Sequence, residues 1–371
     1  MLKFLNKSPG SFLGVDIGTM GVKVVQLGGE KDSLKLETYG LLETYGSFEL
    51  LNSSLQVKNS KLLSNRVSDL LKRVISESKV TAKQAAMSVP IFSTFSSLIE
   101  LPDMPDNEVA AAVSFEARRY IPIPLNEVIL GWNIVGRKIN KEANNLKEGN
   151  SSKKIQILLV AISKEIAKRY ARIAELSGLK LIGLETESFS LARSLIGKED
   201  IQNSEAVIIV DIGSRTTNVI VADKGLVIKN HSVDTSGDEI TRAISYGLRV
   251  DFDRAESLKR DFGLNARDAS GKKVFEIVVP IVDMVLAEVE KTMDYYFRKR
   301  GRKIRKVILT GGSANLNGLG DYFSKKLELK ASVGNPWRYL SYPRSLTPVL
   351  REIAPTFSIA VGLAMKGFEE K

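Results

Sequence analysis

The sequence predicts an α/β protein built from two related lobes that face one another. Two stretches carry that expectation. Phe12-Leu-Gly-Val-Asp16-Ile-Gly18-Thr19 runs into Val22-Lys-Val-Val-Gln-Leu27, and Val207-Ile-Ile-Val-Asp211-Ile-Gly213-Ser214 runs into Val219-Ile-Val-Ala222. Each reads as a buried β-branched strand, a tight turn carrying Asp-Ile-Gly and a second apolar strand. The two aspartates lie 195 positions apart, so one copy opens each half. A third observation is Val307-Ile-Leu-Thr310-Gly311-Gly312, a strand running into a glycine pair ahead of another helix. At 371 residues the chain also exceeds what one hydrophobic core usually organises.

Between the repeats, Ala85 to Leu101 alternates as a strand does. Pro105-Asp-Asn-Glu108 then starts a helix to about Tyr120, with Pro in the first turn, acids against the N-terminal dipole and Ile121-Pro-Ile-Pro124 as the stop. Strands at Val128–Ile139 and Ile155–Ile162 flank Lys141 to Lys154, read as an exposed hairpin loop. The helix Lys164–Ser177 ends at Gly178, and Gly237–Arg300 reads as largely helical.

Composition narrows the chemistry. Hydrophobic residues are 43% and charged residues 26%, ordinary for a folded chain. There is no cysteine and one histidine, His231, which excludes thiolate catalysis, Cys zinc sites and His-pair metal sites. No stretch reaches the ~18 uninterrupted apolar residues of a spanning helix, and the N-terminus turns polar too early for a secretory signal. A cytoplasmic location is expected. The formal charge of +11 fits nucleic acid, anionic lipid or an acidic partner. Arg298 to Lys306 holds seven basic residues in nine. It reads first as a cationic helix end entering a strand, with an anionic leaflet as the alternative. No aromatics interleave it, so nucleic acid is not expected as a partner. Asp261-Phe-Gly263 has no kinase catalytic loop to go with it, and no Walker A sequence occurs.

Asp-Ile-Gly at a hairpin tip has a physical use. Glycine lets backbone amides approach a phosphate, and the aspartate is suited to holding a hydrated Mg²⁺ that bridges to the phosphates. Two matched copies and the later glycine pair together point to nucleotide binding.

These segments resemble the phosphate-1, phosphate-2 and adenosine motifs of the actin/Hsp70/sugar-kinase ATPase superfamily. Four more resemble the PilM family of type IV pilus assembly proteins, relatives of FtsA. They are Phe115-Glu-Ala-Arg-Arg-Tyr-Ile-Pro-Ile-Pro124, Thr235-Ser-Gly-Asp-Glu-Ile-Thr241, Asn335-Pro-Trp337 and Phe357 to Gly367. The resemblance implies an actin-like (ribonuclease H-like) two-lobed ATPase fold with an inserted subdomain. The first-lobe core would take residues 1–93, 181–198 and 350–371, and the insert 94–180. The second-lobe core would take 199–238 and 304–349, with a helical subdomain at 239–303.

It also implies roles. Asp16 and Asp211 position Mg²⁺ through water, and Gly18, Thr19 and Lys23 form the first phosphate loop. Gly213 and Ser214 form the second, and Gly311, Gly312 and Ser313 lie under adenosine. Glu256 and Lys259, i and i+3 on a helix, flank ribose and base or form an ordinary ion pair. Glu187 orients water, with Glu185 a competitor two positions away. Ser214-Arg215 stands where FtsA-like proteins carry Gly-Gly, so ATP (or ADP) binding is expected with slow or absent hydrolysis.

The implied partner is the N-terminal cytoplasmic peptide of the inner-membrane protein PilN, linking it to the pilus motor ATPases. Self-association and weak electrostatic membrane contact are further expectations. An apolar groove between first lobe and insert is the expected dock, with Phe115, Arg118, Arg119 and Tyr120 offering aromatic and cationic contacts. Phe115 by itself reads as a core residue. The alternatives are an FtsA-like division protein or a small-molecule kinase. Ending at Gly367-Phe-Glu-Glu-Lys371 leaves no room for an FtsA-type membrane helix, which favours the PilM reading.

Overall fold

The computed structural model describes residues 10–43, 60–139 and 153–369. Strands β1 (Phe12–Gly18), β2 (Gly21–Glu30) and β3 (Ser33–Glu43) form an antiparallel meander. Helix α1 (Ser60–Glu77) leads to β4 (Gln84–Val89), parallel to β1. The single strand expected from Ala85 to Leu101 is two strands. Pro90, with no N–H to donate, ends the first, and a 3-10 turn at Ile91–Ser93 separates it from β5 (Thr94–Pro102).

The chain then builds a small separate unit: α2 (Asp106–Glu116), β6 (Val128–Ile139) and β7 (Lys153–Ser163), in a sheet of order β5-β7-β6. Helix α2 stops before Tyr120, passing into a 3-10 turn at Ala117–Arg119. The expected loop at 141–154 lies almost wholly outside the described residues. Helix α3 (Lys164–Leu176) starts at Ser163, whose hydroxyl accepts from Glu165 N. It leads to β8 (Lys180–Thr186), completing the order β3-β2-β1-β4-β8. Tyr170, Ile173 and Ala174 of α3 are buried with Val67 and Leu71 of α1 against β1. The span 94–180 expected as the insert therefore includes a helix that packs within the first lobe.

Helices α4 (Glu187–Leu195) and α5 (Lys198–Gln202) carry the chain to the second lobe. There β9 (Ala206–Ile212), β10 (Thr217–Asp223) and β11 (Leu226–Val233) repeat the meander. Helices α6 (Gly237–Leu248), α7 (Phe252–Phe262) and α8 (Ala269–Arg300) follow. Then come β12 (Ile304–Thr310), α9 (Leu319–Leu327) and β13 (Lys330–Val333). The order β11-β10-β9-β12-β13 repeats that of the first sheet. Both central strands are buried on two faces, which explains their unbroken apolar runs.

Helices α10 (Thr347–Ile353) and α11 (Ser358–Lys366) return to the first lobe. A Cβ on Gly14 would stand 1.9 Å from Ala360 O, so only glycine lets α11 lie this close to β1. Arg344–Lys366 is long and apolar enough to cross a membrane, yet its Ala360, Val361, Leu363 and Ala364 are core residues.

The insert joins both lobes. Val135, Leu158 and Val160 share one core with Leu191 and Leu195 of α4 and with Val207, Ile209 and Ile220 of the second sheet. Ser96 Oγ donates to Asn230 Oδ1 (2.6 Å), and Asn230 Nδ2 donates to Ser188 Oγ (2.8 Å).

Candidate functional site

The two Asp-Ile-Gly hairpins place their aspartates in the interior, Asp16 at 2% and Asp211 at 6% exposure. In the β1–β2 ladder Lys23 lies opposite Asp16, and its Nζ donates to Asp16 Oδ2 at 3.2 Å. Ser88 Oγ, from neighbouring β4, donates to Asp16 Oδ1 at 3.0 Å. Asn218 occupies the matching place in the second hairpin, opposite Asp211, and its Nδ2 donates to Asp211 Oδ2 at 3.1 Å. The same Nδ2 reaches Glu187 Oε2 at 3.2 Å, which also accepts from Ile91 N at 3.2 Å. Ser232 Oγ fixes the amide by donating to Asn218 Oδ1 at 2.6 Å.

Sequence reasoning missed Asn218, although the repeat contained the signal. Lys23 and Asn218 each follow their aspartate by seven positions across the hairpin. Glu185 is resolved from Glu187. It is held in an ion pair with Arg193 (2.5 Å), with Lys366 at 3.6 Å, whereas Glu187 opens α4 beside the aspartates.

Three carboxyls so close together repel, and burial opposes their charge. Burial pushes Asp211 up to about 6, with the Asp16 charge adding to it and the Asn218 bond and Lys23 charge opposing. Burial, then the charges of Asp211 and Asp16, lift Glu187 well above the carboxylate range. Burial and the Glu187 and Asp16 charges also raise the Tyr170 phenol. Such a site is suited to a cation that relieves the repulsion. Among the described residues no three His or acidic side chains are placed to ligate a metal directly. The arrangement fits a hydrated Mg²⁺ held through water by Asp16 and Asp211.

The β9–β10 turn, expected as the second phosphate loop, is locked to α6. Gly213 N donates to Thr216 O (3.0 Å), while Gly237 N and Asp238 N donate to the carbonyls of Gly213 (2.9 Å) and Ser214 (3.1 Å). Gly311, at φ +88°, could not carry a Cβ, which would meet Asp211 Oδ1 and Ile212 O at 2.6 Å. Among the described residues nothing lies within 4 Å of a Cβ on Gly312, so this turn presents open backbone. Ser313 Oγ stands 2.3 Å from where a Gly237 Cβ would be, joining the turn to the α6 start.

Glu256 and Lys259 do form an ion pair (2.6 Å), and Thr241 Oγ1 bridges them, accepting from Lys259 Nζ (2.8 Å) and donating to Glu256 Oε2 (2.7 Å). Burial opposes the Glu256 charge, but Lys259, Thr241 and Arg260 outweigh it and hold the carboxyl below its ordinary value. Thr241 closes the Thr235–Thr241 segment, so that motif and α7 meet in one network.

The insert patch differs from expectation at Phe115, which is 71% exposed; Val109, Val113 and Ala117 face the core instead. The 3-10 turn also changes the helical spacing expected for Arg118 and Arg119, which are exposed beside Tyr120. Arg119 pairs with Glu116 at 2.9 Å. A separate groove of about 440 Å³ runs between insert, first lobe and second lobe. Asn133 and Val135 of edge strand β6, Phe189 and Ala192 of α4, Leu226 and Tyr339 line it. The Arg298–Lys306 run is divided: Arg302 pairs with Asp223 and Lys306 with Asp200, while Lys303 and Arg305 are exposed.

The profile of the type IV pilus assembly protein PilM family matches residues 14–368. The chain belongs to that family. The cell division protein FtsA of Staphylococcus epidermidis is 24% identical over 353 residues, 88% of this chain and 74% of that one. Among solved structures, a PilM-PilN type IV pilus biogenesis complex superposes with TM-score 0.78 at 22% identity, covering 96% of this chain and 98% of that one. MreB5 of Spiroplasma citri bound to AMPPNP superposes with TM-score 0.53 at 12% identity, covering 97% and 96%. At these identities the likeness establishes the actin-like two-lobed fold. As a PilM-family member the chain is a pilus-assembly protein of the FtsA/PilM branch.

Proposed function

We propose that this PilM-family chain binds Mg²⁺–ATP or Mg²⁺–ADP between its lobes. We propose further that it holds the N-terminal peptide of a PilN-type inner-membrane protein, connecting that protein to the pilus motors. The carrying observation is the meeting of Asp16, Asp211 and Glu187, from two lobes, around Lys23 and Asn218. Bound nucleotide would supply the phosphates. Lys23 would pair with one as a point charge, Asp16 and Asp211 would hold the hydrated cation, and Gly311 to Ser313 would support adenosine. Burial and the charges of Asp211 and Asp16 raise Glu187 well above its ordinary value, and turnover is expected to be slow or absent. Asp16→Ala is expected to weaken Mg²⁺–ATP binding by tenfold or more, about 1.4 kcal/mol, in titration calorimetry. Equal affinities for mutant and parent would remove the site.

For the peptide, the groove is the better seat. It is concave, it sets Phe189, Ala192, Leu226 and Met365 beside the charged Lys31, Lys198 and Glu369, and it is bordered by Asn133 and Val135 of β6, an edge strand among the described residues, which suits an extended peptide. Leu226, 44% exposed at its rim, tests it. Leu226→Asp is expected to weaken binding of a PilN N-terminal peptide about tenfold, and Arg118→Ala/Arg119→Ala less than about twofold, by fluorescence anisotropy. The reverse ranking would move the dock to the Phe115–Tyr120 patch.

A further inference from the structure

The tip of the second phosphate loop touches the other lobe. Ser214 and Arg215 cap the β9–β10 hairpin, whose backbone is pinned by Gly213, Thr216 and the start of α6. Arg215 is exposed, and its guanidinium carbon lies 4.9 Å from the centre of the Phe92 ring. Phe92 belongs to the first lobe, in the 3-10 turn between β4 and β5. The preceding residue of that turn, Ile91, donates its N–H to Glu187, and Thr94 Oγ1 closes it by donating to Ile91 O at 2.9 Å. One short segment thus touches the cleft carboxylate Glu187, receives the phosphate-loop arginine and begins the first strand of the insert.

We propose that Arg215 reads the terminal phosphate of a bound nucleoside triphosphate, that Phe92 is the positioning residue holding it there, and that the contact reports the triphosphate to the insert. An aromatic ring engages the face of a guanidinium, while its N–H donors lie in plane and suit the two-pronged pairing that phosphate oxygens accept. The ring and a phosphate can therefore hold Arg215 together, and with the hairpin backbone locked only the side chain has to adjust. Because ring and arginine come from different lobes, a phosphate that fixes Arg215 also steadies one lobe against the other at this contact. The Phe92 turn is continuous with β5, so its stiffening extends into the insert. The Ser214-Arg215 pair, unlike a Gly-Gly turn, then exchanges loop freedom for a charge that distinguishes triphosphate from diphosphate.

The inference rests on the nucleotide site proposed above, and the test separates the two. Parent, Arg215→Ala, Arg215→Lys, Phe92→Leu and the Arg215→Ala/Phe92→Leu double variant are titrated with Mg²⁺–AMPPNP and Mg²⁺–ADP, with melting temperatures as fold controls. Arg215→Ala is expected to weaken AMPPNP about tenfold and ADP less than about twofold, with Arg215→Lys between. Phe92→Leu is expected to weaken AMPPNP about threefold, and the double variant to be no weaker than Arg215→Ala alone. Amide exchange over residues 90–97 is expected to slow with AMPPNP more than with ADP in the parent, and equally with both in Arg215→Ala. Equal losses for the two nucleotides, additive effects of the two substitutions, or exchange blind to the third phosphate would overturn the proposal while leaving the nucleotide site standing. A parent chain that binds neither nucleotide overturns both.

Discussion

Asp211→Asn is expected to weaken Mg²⁺–ATP binding about a hundredfold, the loss of one charged contact of ~3 kcal/mol, and at the same time to stabilise the fold. Burial has raised the Asp211 carboxyl from 3.8 to about 6, so the folded chain binds this proton more tightly than the unfolded one. A raised carboxylate favours folding in its protonated form. Its destabilising contribution is absent below about pH 3.8, grows as pH rises, and is complete above about 6. At ~1.4 kcal/mol per unit, Asn at this position should recover on the order of 3 kcal/mol at pH 8 and little at pH 4. Asn retains an acceptor for Asn218 Nδ2, and removing the charge also relieves Glu187. Urea unfolding at the two pH values checks the sign. A variant less stable than the parent at pH 8 would show that Asp211 is not held against its charge. In the parent, Mg²⁺–ATP affinity should fall as pH drops through 6, because the protonated carboxyl cannot hold a cation's water shell.

Trp337→Ala is expected to cost about 3–5 kcal/mol of stability. Trp337 is 1% exposed, between Tyr39 (centroids 6.2 Å) and Phe357 (5.7 Å), in the core that α11 forms with β2 and β3. Its backbone N–H donates to Asn335 Oδ1 at 3.1 Å, so Asn335-Pro-Trp337 is a structural turn that delivers an aromatic anchor. Among the described residues the indole Nε1 has no hydrogen-bond partner, so Trp337→Phe sacrifices packing alone and should cost about 1–2 kcal/mol. The urea midpoints of the two variants measure this, and comparable losses would mean that the indole nitrogen matters more than the ring.

Both hairpins of the candidate site were legible for a local reason. Asp16 with Gly18 and Asp211 with Gly213 lie within single hairpins, where alternation and turn chemistry set both conformation and register. Lys23 was readable on the same ground. Asn218 was equally accessible from the repeat, but an amide does not advertise a phosphate site as a lysine does. Glu187 could not be separated from Glu185 in the sequence. The choice follows from Arg193 and Lys366, which arrive from α4 and α11 to neutralise Glu185. Phe115 reads as core by hydrophobicity. It faces outward because the α2 face carrying Val109, Val113 and Ala117 is the one that meets the insert sheet.

By itself the sequence determined that two strand–turn–strand units with buried aspartates open two α/β lobes, and that the chain resembles the FtsA/PilM branch. Those are properties of short segments and their repetition. Only the tertiary structure decided that the insert shares a core with both lobes, that a groove runs along β6, and that Arg215 crosses to Phe92. Each of these joins residues far apart in the chain: Val135 with Val207, Asn133 with Leu226, Phe92 with Arg215. Hydrophobic burial is non-directional, so a periodic pattern says that a face will be covered but not by what. The partner is chosen only when all the faces are packed at once.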